Sequence, residues 1–497
     1  MTLSSTVLRF LAKNTHKKVS CYQVNALEDQ KKIFKSILSR GAKSLFAKEH
    51  ALSSNLKYLN FNKRVPLSSY EDYKKYIALI SQGKKNILTS GLPSYFAISS
   101  GTTSGTKYIP LTKEMMKIHT RAVAELLLLY CYQTNNYQLS LNSAMMFIQG
   151  SPELQYLNKI PFGKLSGISA RHVPLILQKF RYPSMKTNSI KNWEVKIKKI
   201  VEETYNKNLR ILGGIPPWVI TYFNELLKYT HKTVVKDVFP NLDLYIHGGA
   251  SFDPYKKSFL NVCGPIDTLE VYPASEGFFG YQNNIEDPSL MLLTNHGVFY
   301  EFICLKDFRL GKYNRIPLEA VQLNTDYVLV VSTISGLWAY NTGDTIRFVC
   351  KKPYKILFSG RATQFCSAFG EHVIESEVQS ALMLAIKGCG GVIAEFTVAP
   401  KINTSAPSLH EWFIEFNTMP VNLSDFEFLL NNSMMKKNIY YADLIKSNVL
   451  QPLKVKLVKR GGFHAYMKSI GKLGGQNKCP HLSNNRIIVE FLIKNYV

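Results

Sequence analysis

The sequence lacks the features of several protein classes. Its eight cysteines form no C-x-x-C pair and follow no regular spacing, which excludes a zinc knuckle. No apolar run approaches the roughly 20 residues that a membrane-spanning helix needs. Near the N-terminus, Lys13, Lys17 and Lys18 follow the apolar residues instead of preceding them, which argues against a secretory signal peptide. We therefore expect a cytoplasmic protein with reduced core cysteines and no membrane partner.

Acidic residues are scarce, because 35 Asp and Glu stand against 61 Lys and Arg, a formal net charge of +26. Such an excess raises the question of a nucleic-acid partner. The basic residues are nevertheless spread out in short clusters such as 196–199 and 454–460, with no run of five or more. The sequence also lacks RNA-binding aromatic motifs and a concentrated basic helix. We interpret most of the charge as solvated surface and expect no nucleic-acid partner; a basic nucleic-acid-binding protein stays a remote alternative.

The length and the order of the segments favour a large α/β protein. A chain of 497 residues, 46% of them hydrophobic, can form a large core. The first hundred residues have helical spacing, and helix-like and strand-like segments then alternate up to about residue 360. A helix at 374–386 and two strands after it indicate a smaller α+β domain. We predict an N-terminal domain at 1–366, with mixed β-sheets and flanking helices, and a C-terminal domain at 367–497.

A hydroxyl-rich loop follows the predicted strand at 95–98. Residues 99–107 read S-S-G-T-T-S-G-T-K. The glycines let backbone N–H groups approach an anion, the hydroxyls add donors, and the lysine supplies positive charge. Only three residues separate Gly101 from Gly105, so the loop is not a Walker-type P-loop. The segment predicts a phosphate-binding site, with a flexible turn as the alternative.

Two further segments add acidic groups. V-Y-P-A-S-E-G-F-F-G at 271–280 places Glu276 in an aromatic loop, where one carboxylate can hold Mg²⁺ bridged to nucleotide phosphates. Y-N-T-G-D at 340–344 contributes Asp344, which can accept both hydroxyls of a ribose, and Arg361 follows a later glycine turn. Each segment alone fits a surface turn better than a binding site; their combination indicates a nucleotide site.

In this order the three segments resemble the nucleotide-binding motifs of the adenylate-forming superfamily, which includes acyl-CoA synthetases, luciferases and nonribosomal adenylation domains. Within it they most resemble the Gretchen-Hagen-type acyl acid amido synthetases, the auxin-responsive-promoter family. That family's forms are S-S-G-T-T-x-G with K-x-I-P and Y-x-x-S-E-G-F-F-G. Further segments extend the resemblance over most of the chain: V-P-L-S-S-Y-E-D-Y at 65–73, G-G-I-P-P-W at 213–218, H-G-G at 247–249, G-G-F-H-A-Y-M at 461–467 and G-G-Q-N-K-C-P at 474–480.

The resemblance implies an ATP-dependent ligase that works in two half-reactions. A small-molecule carboxylic acid is adenylated with release of pyrophosphate, and an amine, expected to be an amino acid, then takes the acyl group and releases AMP. ATP and Mg²⁺ are the implied cofactors, and the smaller domain is implied to be mobile, with a hinge at 360–370. Transfer to coenzyme A or a carrier thiol is the alternative. The sequence specifies neither the acid–amine pair nor an oligomeric state.

The resemblance also implies roles for individual residues. Glu276 is expected to hold Mg²⁺ and to act in catalysis, and Lys478 to be the mobile catalytic cation, with a solvated lysine as the alternative. Gly214 and Trp218 are expected at the acyl pocket, although Trp218 can equally be a core residue. The expected nucleotide-binding residues are Ser99, Ser100, Thr103 and Lys107 at the phosphates, Gly248 and Gly249 at the adenine, Asp344 and Arg361 at the ribose, and Tyr272.

The chain departs from the family's pattern at two places. Tyr340-Asn341-Thr342 stands where the family usually has Tyr-Arg before the Gly-Asp pair, which leaves ribose binding by Asp344 unaffected. The family commonly ends its closing motif with Pro-Arg, whereas here His481 follows Pro480. The role of that arginine therefore has to be filled differently or is lost.

Overall fold

The structure is a computed structural model. It describes residues 3–100, 106–138, 143–173, 178–249, 252–362, 365–366, 373–402, 408–447, 449–473, 478–483 and 485–497. The chain divides into two compact units. The first comprises Met1–Ile215, Val238–Gly249 and Ile266–Leu357, and the second comprises Pro216–Asp237, Ala250–Pro265 and Phe358–Val497. The boundary between residues 366 and 367 stays a prediction.

The first unit begins with helices, as the sequence predicts. Ser69 and Asp72 form a capping box at the start of the helix Tyr70–Ser81. The helices of this unit are Leu3–Val24, Ala26–Gly41, Leu45–Glu49, Tyr58–Arg64, Tyr70–Ser81, Lys113–Thr134, Leu165–Arg171, Met185–Asn188, Trp193–Thr204 and Leu305–Arg309, with a 3₁₀ turn at Leu318–Ala320.

The described strands of the first unit form two sheets. A four-stranded sheet has the order Thr106–Leu111, Tyr95–Ser100, Ile160–Lys164 and Gln155–Leu157. A larger mixed sheet has twelve strands in the order Ile316–Pro317, Val298–Cys304, Asp326–Thr333, Tyr340–Lys351, Tyr354–Arg361, Leu290–Leu292, Phe278–Gln282, Asp267–Pro273, Leu244–Gly248, Leu209–Gly214, Ala144–Phe147 and Arg181–Tyr182; the strand Tyr354–Arg361 belongs to the first unit only up to Leu357. The last five are parallel to one another.

The helix Lys113–Thr134 packs on the large sheet. Thr112 caps it by accepting a hydrogen bond from the backbone of Met115. Its apolar face buries Leu126 and Tyr130 against Leu269 and other sheet residues, which share one core cluster. Apolar residues at helical spacing on one side and in strands on the other therefore fix this layer.

The second unit is α+β. A three-stranded sheet of Val392–Lys401, Ser408–Thr418 and Leu450–Leu457 is covered by helices, with Val378, Leu382, Trp412 and Phe426 in one core cluster. A small pair of strands joins Phe365–Cys366 to Val373–Ile374. The helices are Pro216–Thr230, Asp253–Cys263, Glu375–Cys389, Leu423–Lys437, Ile439–Lys446, Gly462–Ser469 and Ile487–Tyr496, with a 3₁₀ turn at Val235–Asp237.

The structure confirms the predicted α/β fold with a smaller α+β part, and it corrects two details. The described cysteines are free, but Cys21 is exposed, so the expectation of core cysteines is wrong there. Lys196, from a basic cluster interpreted as solvated, is buried. None of the described helices is both long and apolar enough to span a membrane.

Candidate active site

The hydroxyl-rich segment joins two strands of a β-hairpin. In its register Ser99 lies opposite Lys107 and Ser100 opposite Thr106. Lys107 therefore sits one residue from the end of the hairpin, with its side chain half-buried. Residues 101–105, including Thr103, and the side chains of Ser99 and Ser100 lie outside the described part of the chain.

Three predicted site segments follow neighbouring parallel strands of the large sheet. Gly214 pairs with His247, and Gly248 pairs with Val271, the residue before Tyr272. The carboxyl ends of these strands thus meet at one edge, where open α/β sheets bind ligands. A Cβ atom at Gly248 would lie 2.4 Å from the carbonyl oxygen of Val271, so the strands approach too closely there for any side chain.

Glu276 occupies the tip of a tight hairpin. Ala274 and Gly277 exchange backbone hydrogen bonds of 2.8 and 3.2 Å, which leaves only Ser275 and Glu276 between them. Ser275 is buried, whereas the Glu276 side chain is half-buried. The short turn therefore holds one carboxylate at a defined position at the end of the strand Asp267–Pro273.

Asp344 lies in a bulge of the strand Tyr340–Lys351. The neighbouring strand pairs Val330 with Asn341 and Val328 with Thr345, so residues 342–344 lie opposite Leu329 alone. Thr342 closes the bulge by donating to the Leu329 carbonyl at 2.9 Å and accepting from the Asp344 backbone at 3.1 Å. Gly343 has a φ of +79°, which glycine adopts without strain. The bulge re-aims Asp344, whose exposure is only 9%.

A hydrogen bond connects the glutamate loop to the ribose motif. The Tyr272 hydroxyl donates to Oδ2 of Asp344 at 2.7 Å. Burial, followed by the negative charge of Glu276, raises the pKa of Tyr340, and Asp344 contributes in the same direction. The two carboxylates predicted for the metal and the ribose therefore both lie near one buried tyrosine, although they are distant in sequence.

The segment V-P-L-S-S-Y-E-D-Y at 65–73 packs against the strand that carries Asp344 and supports it. Ser68 pairs with the start of the Asp344 strand: its N–H donates to Ala339, and its carbonyl accepts from Asn341 at 2.8 Å. The hydroxyl of Tyr73 donates to the Trp338 carbonyl, and that of Tyr70 accepts from the Tyr108 backbone, next to Lys107. The sequence predicts no role for the side chains of this motif. Its repeated tyrosines were the feature that could have indicated these structural contacts.

Three of the predicted residues belong to the second unit. Trp218 is only 6% exposed on the helix Pro216–Thr230 and packs as a buried side chain. Arg361 and Lys478 are exposed. Burial would raise the pKa of Glu375, but the hydrogen bond and charge of His481, followed by the charges of Lys478 and Arg361, lower it. The structure thus brings the two predicted cations of this unit to one carboxylate.

His481 lies between two carboxylates of the second unit. Its Nδ1 is 2.9 Å from Glu375 and its Nε2 is 3.0 Å from Glu395, which also accepts from the Tyr255 hydroxyl at 3.0 Å. The ring is 8% exposed and stacks on Phe396. Burial alone would lower the pKa of His481, but the hydrogen bonds to both carboxylates outweigh it and raise the pKa to about 10. His481 therefore supplies a cation where the family commonly has arginine.

We expect the charge of His481 to stabilise the fold in a pH-dependent way. Because its folded pKa lies above the ordinary value of 6.5, its contribution is complete below that pH and is lost as the pH rises towards about 10. His481→Gln should lose about 3 kcal/mol of folding stability, since two half-buried carboxylates are left without their cationic partner. His481→Arg should keep its thermal midpoint at alkaline pH better than wild type does. Identical midpoint–pH profiles for wild type and His481→Arg would contradict this assignment.

Three domain models of one protein family match successive parts of the chain. Residues 16–190 match the GH3 family N-terminal domain, 291–361 the GH3 family central domain and 376–487 the GH3 family C-terminal domain. The chain belongs to the GH3 family. This confirms the family that the sequence motifs resemble.

Similar GH3 proteins cover nearly the whole chain at low identity. A jasmonoyl–L-amino acid synthetase, JAR4, of Nicotiana attenuata is 21% identical over 94% of this chain and 93% of its own. A probable indole-3-acetic acid-amido synthetase, GH3.1, of Arabidopsis thaliana is 23% identical over 94% of this chain and 91% of its own.

Solved structures show the same fold. The GH3.15 acyl acid amido synthetase superposes with a TM-score of 0.80 at 18% identity, over 100% of this chain and 97% of that chain. A 2-hydroxyisobutyryl-CoA ligase in the postadenylation state gives 0.62 at 13% identity, over 94% and 92%. The GH3 chain therefore has the fold of adenylate-forming enzymes.

Proposed function

We propose that this GH3 protein is an ATP-dependent acyl acid amido synthetase, which adenylates a small carboxylic acid and passes the acyl group to an amine, in the first instance an amino acid. The observation that carries the proposal is the 2.7 Å hydrogen bond from Tyr272 to Asp344, since it joins two nucleotide motifs in one site. The relatives support the substrate class, because one is a jasmonoyl–L-amino acid synthetase and another a probable indole-3-acetic acid-amido synthetase.

The first half-reaction brings two anions together, the carboxylate of the acid and the α-phosphate of ATP. The site must therefore supply cations and hydrogen-bond donors more than a covalent nucleophile. Asp344, oriented by the Tyr272 hydroxyl, accepts the ribose hydroxyls. The residues that we assign to the phosphates are Ser99, Ser100, Thr103 and Lys107, those at the adenine Gly248 and Gly249, and those at the acyl group Gly214 and Trp218.

The donor set at the hairpin tip fits magnesium. Mg²⁺ typically takes one or two protein carboxylates and completes its shell with phosphate oxygens and water, and Glu276 offers one such carboxylate. When bound, the ion would neutralise charge on the phosphates. Glu276 would hold the ion, and the short turn that fixes Glu276 limits how far its carboxylate can move.

We assign the second unit a role in changing between the half-reactions. Arg361 is proposed to contact the ribose, and Lys478 is proposed to contact the α-phosphate. The proposed hinge is at 360–370, of which residues 363–364 and 367–370 lie outside the described part of the chain. The contact between the Lys478 segment and the strand Val392–Lys401, through Val398 and His481, would carry Lys478 along with that sheet. We place the enzyme in the cytoplasm, on the basis of its cysteine usage.

Product analysis tests the acceptor. With ATP, Mg²⁺ and an acid, we expect an amide by mass spectrometry only when a free amino acid is present, because the amine is the nucleophile of the second step. The matched control contains coenzyme A in place of the amino acid. A thioester in the control and no amide with any amino acid would contradict amide synthesis and favour the second candidate, an acyl-CoA ligase, whose fold this chain shares.

A further inference from the structure

Three cations lie together in the first unit on segments that the nucleotide motifs do not include. Lys164 ends the strand Ile160–Lys164, Arg181 begins the strand Arg181–Tyr182, and Lys196 lies on the helix Trp193–Thr204. Lys196 is only 4% exposed, and the other two side chains are half-buried. Cations are rarely buried without a partner, so the cluster needs an explanation.

Gln149 connects two of the cations. Its side-chain oxygen accepts a hydrogen bond from the Arg181 guanidinium, and its backbone carbonyl accepts one from Lys196 Nζ at 2.9 Å. Lys196 also donates to the carbonyl of Asn188 at 2.8 Å. Burial, with the nearby charge of Lys164, lowers the pKa of Lys196 to about 8. Lys164 is therefore close enough to repel Lys196.

No carboxylate among the described residues balances this charge. Burial lowers the pKa of Lys164, and it lowers that of Arg181 to about 10, with no acidic group acting against it in either case. The first unit's residues outside the described part, 1–2, 101–105, 139–142 and 174–177, include no Asp or Glu. The cluster thus holds desolvated positive charge for which this unit offers no counter-charge.

A buried amide beside the cations is also unsatisfied. Asn188 is 0% exposed, and neither its Oδ1 nor its Nδ2 forms a hydrogen bond within the described part of the chain. Buried polar side chains are almost always hydrogen-bonded, and those that are not call for a ligand or bound water. The unsatisfied amide is evidence independent of the charges. It belongs to the same cluster, because the Asn188 carbonyl accepts a hydrogen bond from Lys196.

The cluster adjoins the strands of the candidate active site. Gln149 follows the strand Ala144–Phe147, whose Phe147 pairs with Gly213, the residue before Gly214. Lys164 pairs with Ile98, the residue before Ser99. Both connections are parallel, so Gln149 and Lys164 lie at carboxyl ends of strands, on the side where open α/β sheets bind ligands.

We propose that Lys164, Arg181 and Lys196, with Gln149 and Asn188, form an oxyanion subsite for a negatively charged group of a substrate. The identity of that substrate rests on the proposed function: the oxyanion is a carboxylate of the acid or amine, or a phosphate of ATP. Ammonium and guanidinium groups bind both through charge-assisted hydrogen bonds. An anion there would neutralise the cluster and give Lys164 the partner it lacks among the described residues.

A binding experiment tests the subsite without any catalysis. Thermal unfolding of the full chain is followed with pyrophosphate or succinate as probe, against chloride at equal ionic strength. Lys164→Met should bind the effective probe about tenfold more weakly than wild type, because one charge-assisted contact is lost. Without a probe it should be at least as stable as wild type, since an unpaired desolvated charge has been removed. Lys159→Met, an exposed lysine on the same hairpin, is the matched control and should behave as wild type.

An equal response of wild type, Lys164→Met and Lys159→Met to both probes would overturn the subsite. Steady-state kinetics then distinguish the sources of the oxyanion. A higher KM for ATP in Lys164→Met supports a phosphate, a higher KM for the acid or amine supports a carboxylate, and unchanged KM values for all substrates contradict the proposal. If no acid is adenylated at all, the proposed function fails, while the binding comparison still decides the subsite.

Discussion

Replacing Asp344 with asparagine should raise the KM for ATP in acid-dependent pyrophosphate exchange by about 100-fold. The carboxylate can accept both ribose hydroxyls, and each charge-assisted hydrogen bond contributes about 1.5–3 kcal/mol. An amide keeps the size and one acceptor, but its NH₂ group faces a hydroxyl or the Tyr272 oxygen. The change therefore removes nucleotide binding and not the bulge, which is held by Thr342 and the Leu329 carbonyl.

The neighbouring strand offers a matched control for this variant. Asp326 accepts two hydrogen bonds from Arg347, at 3.0 and 2.6 Å, in the same sheet but outside the motifs. Asp326→Asn should lose part of a surface ion pair, worth about 0–1 kcal/mol, and leave exchange unchanged. An Asp344→Asn protein that unfolds at the wild-type temperature and keeps the wild-type KM for ATP would remove Asp344 from the site.

Glu276→Gln is expected to lower kcat for pyrophosphate exchange by about 10²–10³-fold. Its carboxylate is proposed to hold the magnesium that neutralises charge on the phosphates, and a neutral amide is a much weaker ligand for a hard divalent cation. The concentration of Mg²⁺ that gives half-maximal exchange should rise at the same time. Titration of wild type and variant with MgCl₂ at saturating ATP measures both effects.

The control for Glu276 is an exposed carboxylate in the next turn, Glu286. Glu286→Gln changes the net charge by the same amount and should leave both kcat and the Mg²⁺ requirement as in wild type. If Glu276→Gln and Glu286→Gln behave alike, the effect of Glu276 is general electrostatics and its role at the metal is lost.

Local chemistry made much of the fold predictable. The strand at 95–98, the helix that follows at 113 and the strand ahead of Glu276 are each marked by apolar spacing and by a turn with small residues, and all are found. The site motifs were predictable for the same reason, because each is a short loop whose composition reflects what it has to bind.

Pairings between distant segments were not predictable in this way. The strand carrying Asp344 begins as early as Tyr340, where Ser68, far away in sequence, pairs with its first residue. The hydrogen bond from Tyr272 to Asp344 likewise depends on a bulge whose register no local pattern reveals. Tertiary contacts decided both.

Lys196 shows how a charge pattern can mislead. In K-I-K-K it stands among lysines that face solvent, and periodicity alone favours a solvated helix face. Its ammonium is instead buried because the carbonyls of Gln149 and Asn188 accept its hydrogen bonds. Those partners lie on other segments, so only the folded chain distinguishes Lys196 from its neighbours.

The most direct test of the adenylation chemistry is pyrophosphate exchange by the purified wild-type protein. Radiolabelled pyrophosphate is supplied with ATP, Mg²⁺ and, in turn, a panel of aryl, indolyl and fatty acids. Our account predicts label in ATP that depends on at least one of these acids and is absent without acid. Folded protein that incorporates no label with any acid of the panel would contradict it.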